Sequence, residues 1–384
     1  NLRNGNGQPI TIYDPLTADS NGTRRPFPGN VIPANRIDNV AKHLIKYYPR
    51  PNATPTNQYT MQNDFFVSGK GINDDDKFDS RIDQNFSEKF RMFARGSYDH
   101  GESVPLNGFG NVGTSIGDGP NKSNLYNVTI NGVYTVNATT IVNFNCGFAR
   151  DVGVRFPFSE GVTPASLGFP RTYSDVAGLS NYEFPNISFG GNTNLSNLGQ
   201  AKFTTLLNRP MSHIVRGDVT KVFSKHTVRA GAEWRKFFLN FTQLGLPDGA
   251  FSFGAGFTQR VVNPAAVATE GNGFATFLLG LPNNGGSVSH SFDAATASAY
   301  AGAYVQDDWK VSQKLTLNIG LRYDVDTPRT ERYNRLSYFD INAASPLQGK
   351  VASSATCPNC GNLREQSCSS GRTAGTAATR RQRI

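Results

Sequence analysis

The sequence predicts an all-β protein: a partial antiparallel transmembrane β-barrel, about eight to ten strands of a larger barrel, with short turns at one end and long loops at the other. Three observations carry that prediction: long runs that alternate apolar with polar residues, repetition of the same hairpin along the chain, and the spacing of aromatic residues on the apolar parity. In the run ending at Asp324, Leu315, Leu317, Ile319, Leu321 and Tyr323 share one parity, and Thr316, Asn318, Gly320, Arg322 and Asp324 share the other. A period of two marks a strand, because successive side chains point to opposite faces. In the preceding run Ala301, Ala303, Val305, Trp309 and Val311 oppose Tyr304, Gln306, Asp308 and Lys310, and only Ser312-Gln313-Lys314 separates the two runs. So short a connector requires an antiparallel hairpin.

The same unit recurs upstream. Residues 77–86 turn at Ser87-Glu88-Lys89 and run on to His100; residues 125–136 turn at Asn137-Ala138-Thr139 and run to Val154. Residues 213–223 turn at Ser224-Lys225-His226 and run to about Leu239. The connectors between hairpins, near 100–122, 155–201 and 241–300, are long and rich in Gly, Pro, Asn and Ser. Compact soluble domains seldom carry such loops. Short turns on one side and long loops on the other are how outer-membrane barrels are built.

Face chemistry assigns an environment to each parity. Arg81, Asp83, Arg95, Asn127, Asn143, Arg229, Glu233, Arg235, Asp308, Arg322 and Asp324 fall on the polar parity and are expected to face a water-filled lumen. On the apolar parity Phe86, Phe90, Phe223 and Trp309 lie near the short turns, and Tyr98, Trp234 and Tyr323 lie well beyond them. Eight residues of a tilted strand climb roughly 21 Å, close to the apolar band of about 25 Å that aromatic girdles bound. A soluble sandwich also alternates, but its strands usually run to only about five or six residues. Lys221 and Asp307 depart from the pattern by falling on the apolar parity. Either they sit at interfacial depth, where a charge costs about 0–1 kcal/mol, or a bulge shifts the register.

Composition agrees. The 384-residue chain contains 27 Phe and 14 Tyr, abundant Gly and Asn, and few Cys. Its mean hydropathy is −0.41, and no apolar run is long enough for a membrane helix. The net charge is +9, but five Arg against one Glu from Val351 onward supply +4 of it. The remainder shows no basic stripe interleaved with aromatics, so nucleic acid is not an expected partner. The expected divisions are an extended loop region with a short helix over 1–76, the barrel portion over 77–347, and a non-barrel tail, disordered or frame-shifted, over 348–384.

No motif supports chemistry. Cys357 and Cys360 form a C-x-x-C near Cys368 without a second pair, so no metal is expected. Gly108, Gly110 and Gly113 match a dinucleotide fingerprint but stand among Gly and Asn rather than between strand and helix. Asp74-Asp75-Asp76 lacks calcium-loop spacing. No catalytic residue and no cofactor is expected, and the chain is not read as an enzyme. Residues 37–48 and 272–280 are each expected to form a short helix.

The stretches KFDSRIDQNFSEKFRMFARGSYDH (77–100) and YVQDDWKVSQKLTLNIGLRYD (304–324) resemble the barrel of TonB-dependent outer-membrane receptors. Together with residues 10–52, from ITIYDPLT to KYYPRPN, they resemble most the Oar-like transporters that carry a carboxypeptidase-regulatory-like N-terminal domain. The resemblance implies energy-coupled uptake of an unidentified nutrient across the cell outer membrane, with a plug domain and an inner-membrane energising complex as partners. Family barrels have about twenty-two strands around a plugged lumen, and no plug is recognised here, so the chain is expected to be a barrel fragment surrounded by outer-membrane lipid. The competing readings are a non-transporting surface barrel, adhesin or passive porin-like, and a secreted carbohydrate-binding β-domain.

Overall fold

The structure is a computed structural model that describes residues 2–115, 119–179, 181–261, 267–291 and 293–336. The tail over 348–384, with its three cysteines, lies outside the described residues, as does 337–347. In chain order the strands are β1 (Ile72–Asn85), β2 (Phe90–Val104), β3 (Asn121–Asn137), β4 (Thr140–Arg155), β5 (Asn186–Phe189), β6 (Leu206–Phe223), β7 (His226–Gln243), β8 (Ala250–Phe253), β9 (Asn283–Ser287), β10 (Ala294–Ser312), β11 (Leu315–Asp326) and β12 (Thr330–Glu331).

The long strands form one antiparallel meander in the order β1-β2-β3-β4-β6-β7-β10-β11, with β12 beside the start of β10. The sheet is an unclosed partial barrel wall. Its outermost strands, β1 and β11, are exposed at every residue.

All four expected hairpins form. Phe86 N–H donates to Phe90 O at 2.9 Å, and the other three close at Asn137↔Thr140, Phe223↔His226 and Ser312↔Leu315. His226 is therefore the first residue of β7 rather than part of its turn. Two residues suffice there because Ser224 adopts φ 54°, the left-handed conformation that tight hairpin turns require.

The strands are longer than their alternation. β1 begins at Ile72 rather than Lys77, and β10 runs for 19 residues, roughly 65 Å. The added ends are polar on both faces: Asn73, Asp74, Asp75 and Asp76 pair with Ser103, Glu102, Gly101 and His100. With no apolar face there is no period to read, yet the ladder hydrogen bonds persist. Pro210 hides another extension. It lies inside β6 opposite Leu239 of β7, while the pairing of β6 with β4 lapses between Arg150 and Gly153. Proline has no N–H to donate, so only one side of the strand keeps its ladder there.

The buried apolar core lies in the loops rather than the sheet. Ile10, Phe27, Leu44, Leu167, Phe184, Ile187, Leu198, Phe253 and Phe277 are nearly inaccessible. Residues 2–71 send hydrogen bonds into this loop body. Thr11 N–H donates to Thr269 O (2.9 Å), Tyr13 N–H to Thr258 O (2.9 Å) and Asp38 N–H to Leu278 O (2.8 Å). The buried Arg24 guanidinium donates to the carbonyls of Gly256 (2.8 Å), Phe257 (2.9 Å) and Gln259 (3.2 Å).

Both expected helices form in shortened versions. In α1 (Asn39–Leu44) the Asp38 carboxylate accepts from Ala41 N–H, at 3.0 Å. A further helix over Arg171–Val176, α2, carries no periodic signal. In α3 (Gly273–Leu278) the Asn272 amide oxygen accepts from Phe274 and Ala275. These side-chain acceptors satisfy N–H groups that a helix start leaves unpaired. A small sheet, β5-β8-β9, packs Phe253 edge-on to Phe277 at 5.2 Å between ring centres. The run Gly108–Gly110–Gly113 lies in the loop after β2, where Asn111 donates to Tyr47 O at 2.9 Å, and opens no helix.

Candidate functional site

Register places the polar residues. Asp83, Phe93, Asn131, Asn145, Arg216, Glu233, Gly302 and Asp324 stand directly opposite one another, one from each long strand. The adjacent row on the same face is Asn85, Arg91, Val133, Asn143, Asp218, Gly231, Tyr304 and Arg322. Side chains of directly opposed residues share a face, as do residues two apart on a strand. By that rule all eleven polar candidates occupy one face of the sheet: Arg81, Asp83, Arg95, Asn127, Asn143, Arg229, Glu233, Arg235, Asp308, Arg322 and Asp324.

Many of these groups engage one another. Arg81 pairs with Asp83 at 2.8 Å and lies 4.1 Å from the centre of the Phe93 ring. Arg95 reaches Asp79 at 2.9 Å, Lys77 bridges Asp75 (2.8 Å) and Asp99 (3.3 Å), and Arg235 pairs with Glu233. Arg322 pairs with Asp324 at 2.9 Å and donates to Tyr300 Oη at 2.6 Å. Asn143 donates to Asp218 at 2.8 Å, and Gln306 donates to Asp308 at 3.2 Å. Asn127 stands opposite Ser97 and Ala149 in the register without joining these pairs.

Of the hollows that the described residues form on this sheet, two lie on its polar face. The first, about 630 Å³, is lined by Asn131, Asn145, Arg216, Asp218, Arg229, Glu233, Tyr304, Gln306 and Arg322. Gly302 lies in its wall, where a Cβ would meet the Tyr300 hydroxyl at 2.7 Å, and a Cβ on Gly231 beside it would meet the Tyr304 ring at 2.7 Å. Arg216, Asp218 and Tyr304 were legible by parity with Arg229 and Arg322, but only the register brings them together. The second hollow, about 560 Å³, lies toward the loops and is largely apolar, with Leu125, Pro210, Phe237 and Leu239 in its wall. The polar face is thus not polar throughout.

The other face carries the seven aromatic candidates. Phe86 stacks on Phe90 (5.3 Å) and Phe90 meets Tyr134 edge-on (6.1 Å). Farther along, Phe223 stacks on His226 (5.8 Å) and His226 on Trp309 (5.4 Å). Higher on the strands Tyr98 touches Tyr126 at 5.2 Å, Trp234 stands opposite Val215, and Tyr323 opposite Ala303. Tyr134, Tyr126 and His226 extend these rows beyond the sequence reading. The face is bare of protein: Leu321 is 74% exposed and Ile82 71%. Cys146 lies on it between Ile130 and Val215. Lys221, Val228, Asp307 and Ile319 are consecutive partners on this face, and the nearby register shifts, at Thr135/Asn137 and at Lys310/Ser312, fall outside this row. No bulge displaces Lys221 or Asp307, so both remain on the apolar side near the short turns.

Among the described residues no three His, Cys, Asp or Glu converge as metal ligands, and no helix is long and apolar enough to cross a membrane, which says nothing about strands. No curated protein matches the chain. Solved structures similar to it include the outer membrane transporter YddB from Escherichia coli, at 11% identity and TM-score 0.43, covering 69% of this chain and 29% of that one. The siderophore receptor PiuA from Acinetobacter baumannii shares 12% identity at TM-score 0.36, covering 67% and 36%. The Ferric-Catecholate import receptor Fiu from E. coli K12 shares 12% at TM-score 0.37, covering 66% and 37%. The chain therefore spans about a third of the length of these proteins. The outer membrane beta barrel domain family matches residues 1–377, and with eight long strands among the described residues that present one apolar and one charged face, the chain belongs to that family and resides in the outer membrane.

Proposed function

We propose that the chain forms part of the wall of an energy-coupled outer-membrane receptor, of the Oar-like kind, that takes up a scarce or bulky nutrient. The observation that carries this reading is the mainly polar row from Asp83 to Asp324, interrupted by Phe93 and Gly302, opposite an exposed apolar face. A row of that breadth on one face suits a wide aqueous lumen, because narrow barrels fill their interiors with side chains. The resemblance of residues 77–100 and 304–324 to TonB-dependent receptors supports the energy coupling, with a plug and an inner-membrane energising complex as partners. Arg216 and Arg229 line the larger hollow with no ion-pair partner among the described residues. They favour carboxylate or phosphate groups on the solute or on a plug.

The test is genetic and energetic. Cells carrying the gene as their only route for a nutrient, screened over a panel of scarce and bulky solutes, should accumulate one of them and stop when the inner-membrane proton gradient is dissipated. Uptake that survives dissipation supports a passive porin-like wall instead.

A further inference from the structure

In the loop body, away from the sheet, a cluster of oxygen atoms has no role in the reading above. Glu183 is 3% exposed, Asp248 1% and Gln200 4%. Each keeps one side-chain oxygen buried with no hydrogen-bond partner: Glu183 Oε2, Asp248 Oδ1 and Gln200 Oε1. Glu183 links the three residues. The Glu183 backbone N–H donates to Asp248 Oδ2, and Thr205 donates its hydroxyl to Glu183 Oε1. The Gln200 side chain also acts on the Glu183 carboxyl. Tyr173 Oη donates to Asp248 O at 3.0 Å, and Ser159 Oγ accepts from Phe184 N–H at 3.1 Å. Four loop segments thus meet at one buried point.

A buried acceptor without a donor costs roughly 1–3 kcal/mol, and a buried carboxylate costs more. Three together point to an occupant that supplies a donor or a positive charge. Among the described residues, Glu183 acts on Asp248, and Thr205, Gln200 and Glu160 act on Glu183; none of these is basic.

We propose that Glu183, Asp248 and Gln200 bind a calcium ion that ties together the loop segments around 159, 183, 200 and 248. Two carboxylates balance a divalent charge, and the donors are all hard oxygens, which excludes the softer transition metals. Magnesium usually retains several waters in a strict octahedron, whereas calcium accepts an irregular protein-oxygen shell. The occupants this reading displaces are a shared proton and a buried water. The site is independent of whether the barrel transports.

The test uses the full chain folded in detergent and stripped with EDTA. Calcium chloride should slow proteolysis of the loop body and give a calorimetric binding isotherm near the 10⁻⁴–10⁻³ M range of extracellular calcium modules. Magnesium chloride should bind at least about tenfold more weakly. Asp248→Asn and Glu183→Gln should each abolish the response, while strand circular dichroism shows that the sheet has formed. Gln200→Glu should lower resistance in EDTA and tighten calcium binding. A wild-type chain indifferent to calcium overturns the proposal. So does a Glu183→Gln or Asp248→Asn variant that keeps the full calcium response, because the site would then hold a proton or a water.

Discussion

His226 Nδ1 lies 2.6 Å from Asp307 Oδ2 on the apolar face of the sheet, with the imidazole stacked between Phe223 and Trp309. A carboxylate on the side facing lipid is tolerable when it is paired and sits near the interface. The partner is the residue that a turn assignment had removed from the strand.

Removing that partner should be felt. His226→Ala is expected to destabilise the sheet by about 1 kcal/mol, since the interface still reaches Asp307. Asp307→Asn should recover most of the loss in the double variant, a coupling that urea unfolding in phospholipid vesicles would measure. Additive effects of the two changes would show that the pair does not interact in the membrane.

The two faces predict opposite labelling. A membrane-impermeant maleimide should modify Arg322→Cys and Glu233→Cys, while a lipid-partitioning reagent should modify Leu321→Cys and Trp234→Cys. Reversal at either pair would invert the assignment of lumen and lipid.

Gly231 is a packing requirement rather than a flexible point. A side chain there meets Tyr304 at 2.7 Å and the Gly217 carbonyl at 3.0 Å. Gly231→Val should cost about 1–3 kcal/mol through overpacking, and Gly231→Val with Tyr304→Ala should cost less than Gly231→Val alone. Unfolding midpoints of the three variants provide the check.

Arg24 pins the N-terminal segment to a loop some 230 residues away, through three carbonyls. Arg24→Met should cost about 3 kcal/mol, because hydrogen bonds from a charged donor are lost and the acceptors stay buried. Trypsin and chymotrypsin should then cut within 2–71 while the sheet stays intact. Protection equal to wild type would mean that apolar packing alone holds the segment.

Stability of the loop body should fall with pH when calcium is absent. The Asp248 carboxyl, pushed up to about 7 by burial and by Glu183, holds its proton in the folded state across a range where the unfolded chain has lost it. Glu183 is raised by the same cause, with Glu160 adding to it. The folded state therefore binds more protons than the unfolded one between about pH 4 and 7, so stability declines through that window and levels off above it. Tyr173, beside Asp248, titrates at about 12 and does not enter. Asp248→Asn should flatten the decline in protease resistance measured from pH 4.5 to 8.

Alternation with period two made the sheet legible without any structure, because strand faces and tight turns are set by residues one or two apart. That is why the hairpins at Glu88, Ala138, Lys225 and Gln313, and the opposite parities of Arg322 and Leu321, could be read directly. Where both faces are polar, as at Asn73 to Asp76, or where Pro210 interrupts one ladder, the local signal stops while the long-range pairing continues. The loop body lies beyond such reading altogether. Arg24 with Gly256, and Glu183 with Asp248, meet across 232 and 65 residues, and no periodicity links them. Only the closing of the hairpins brings the long loops to one end, where their apolar side chains can bury one another and residues 2–71.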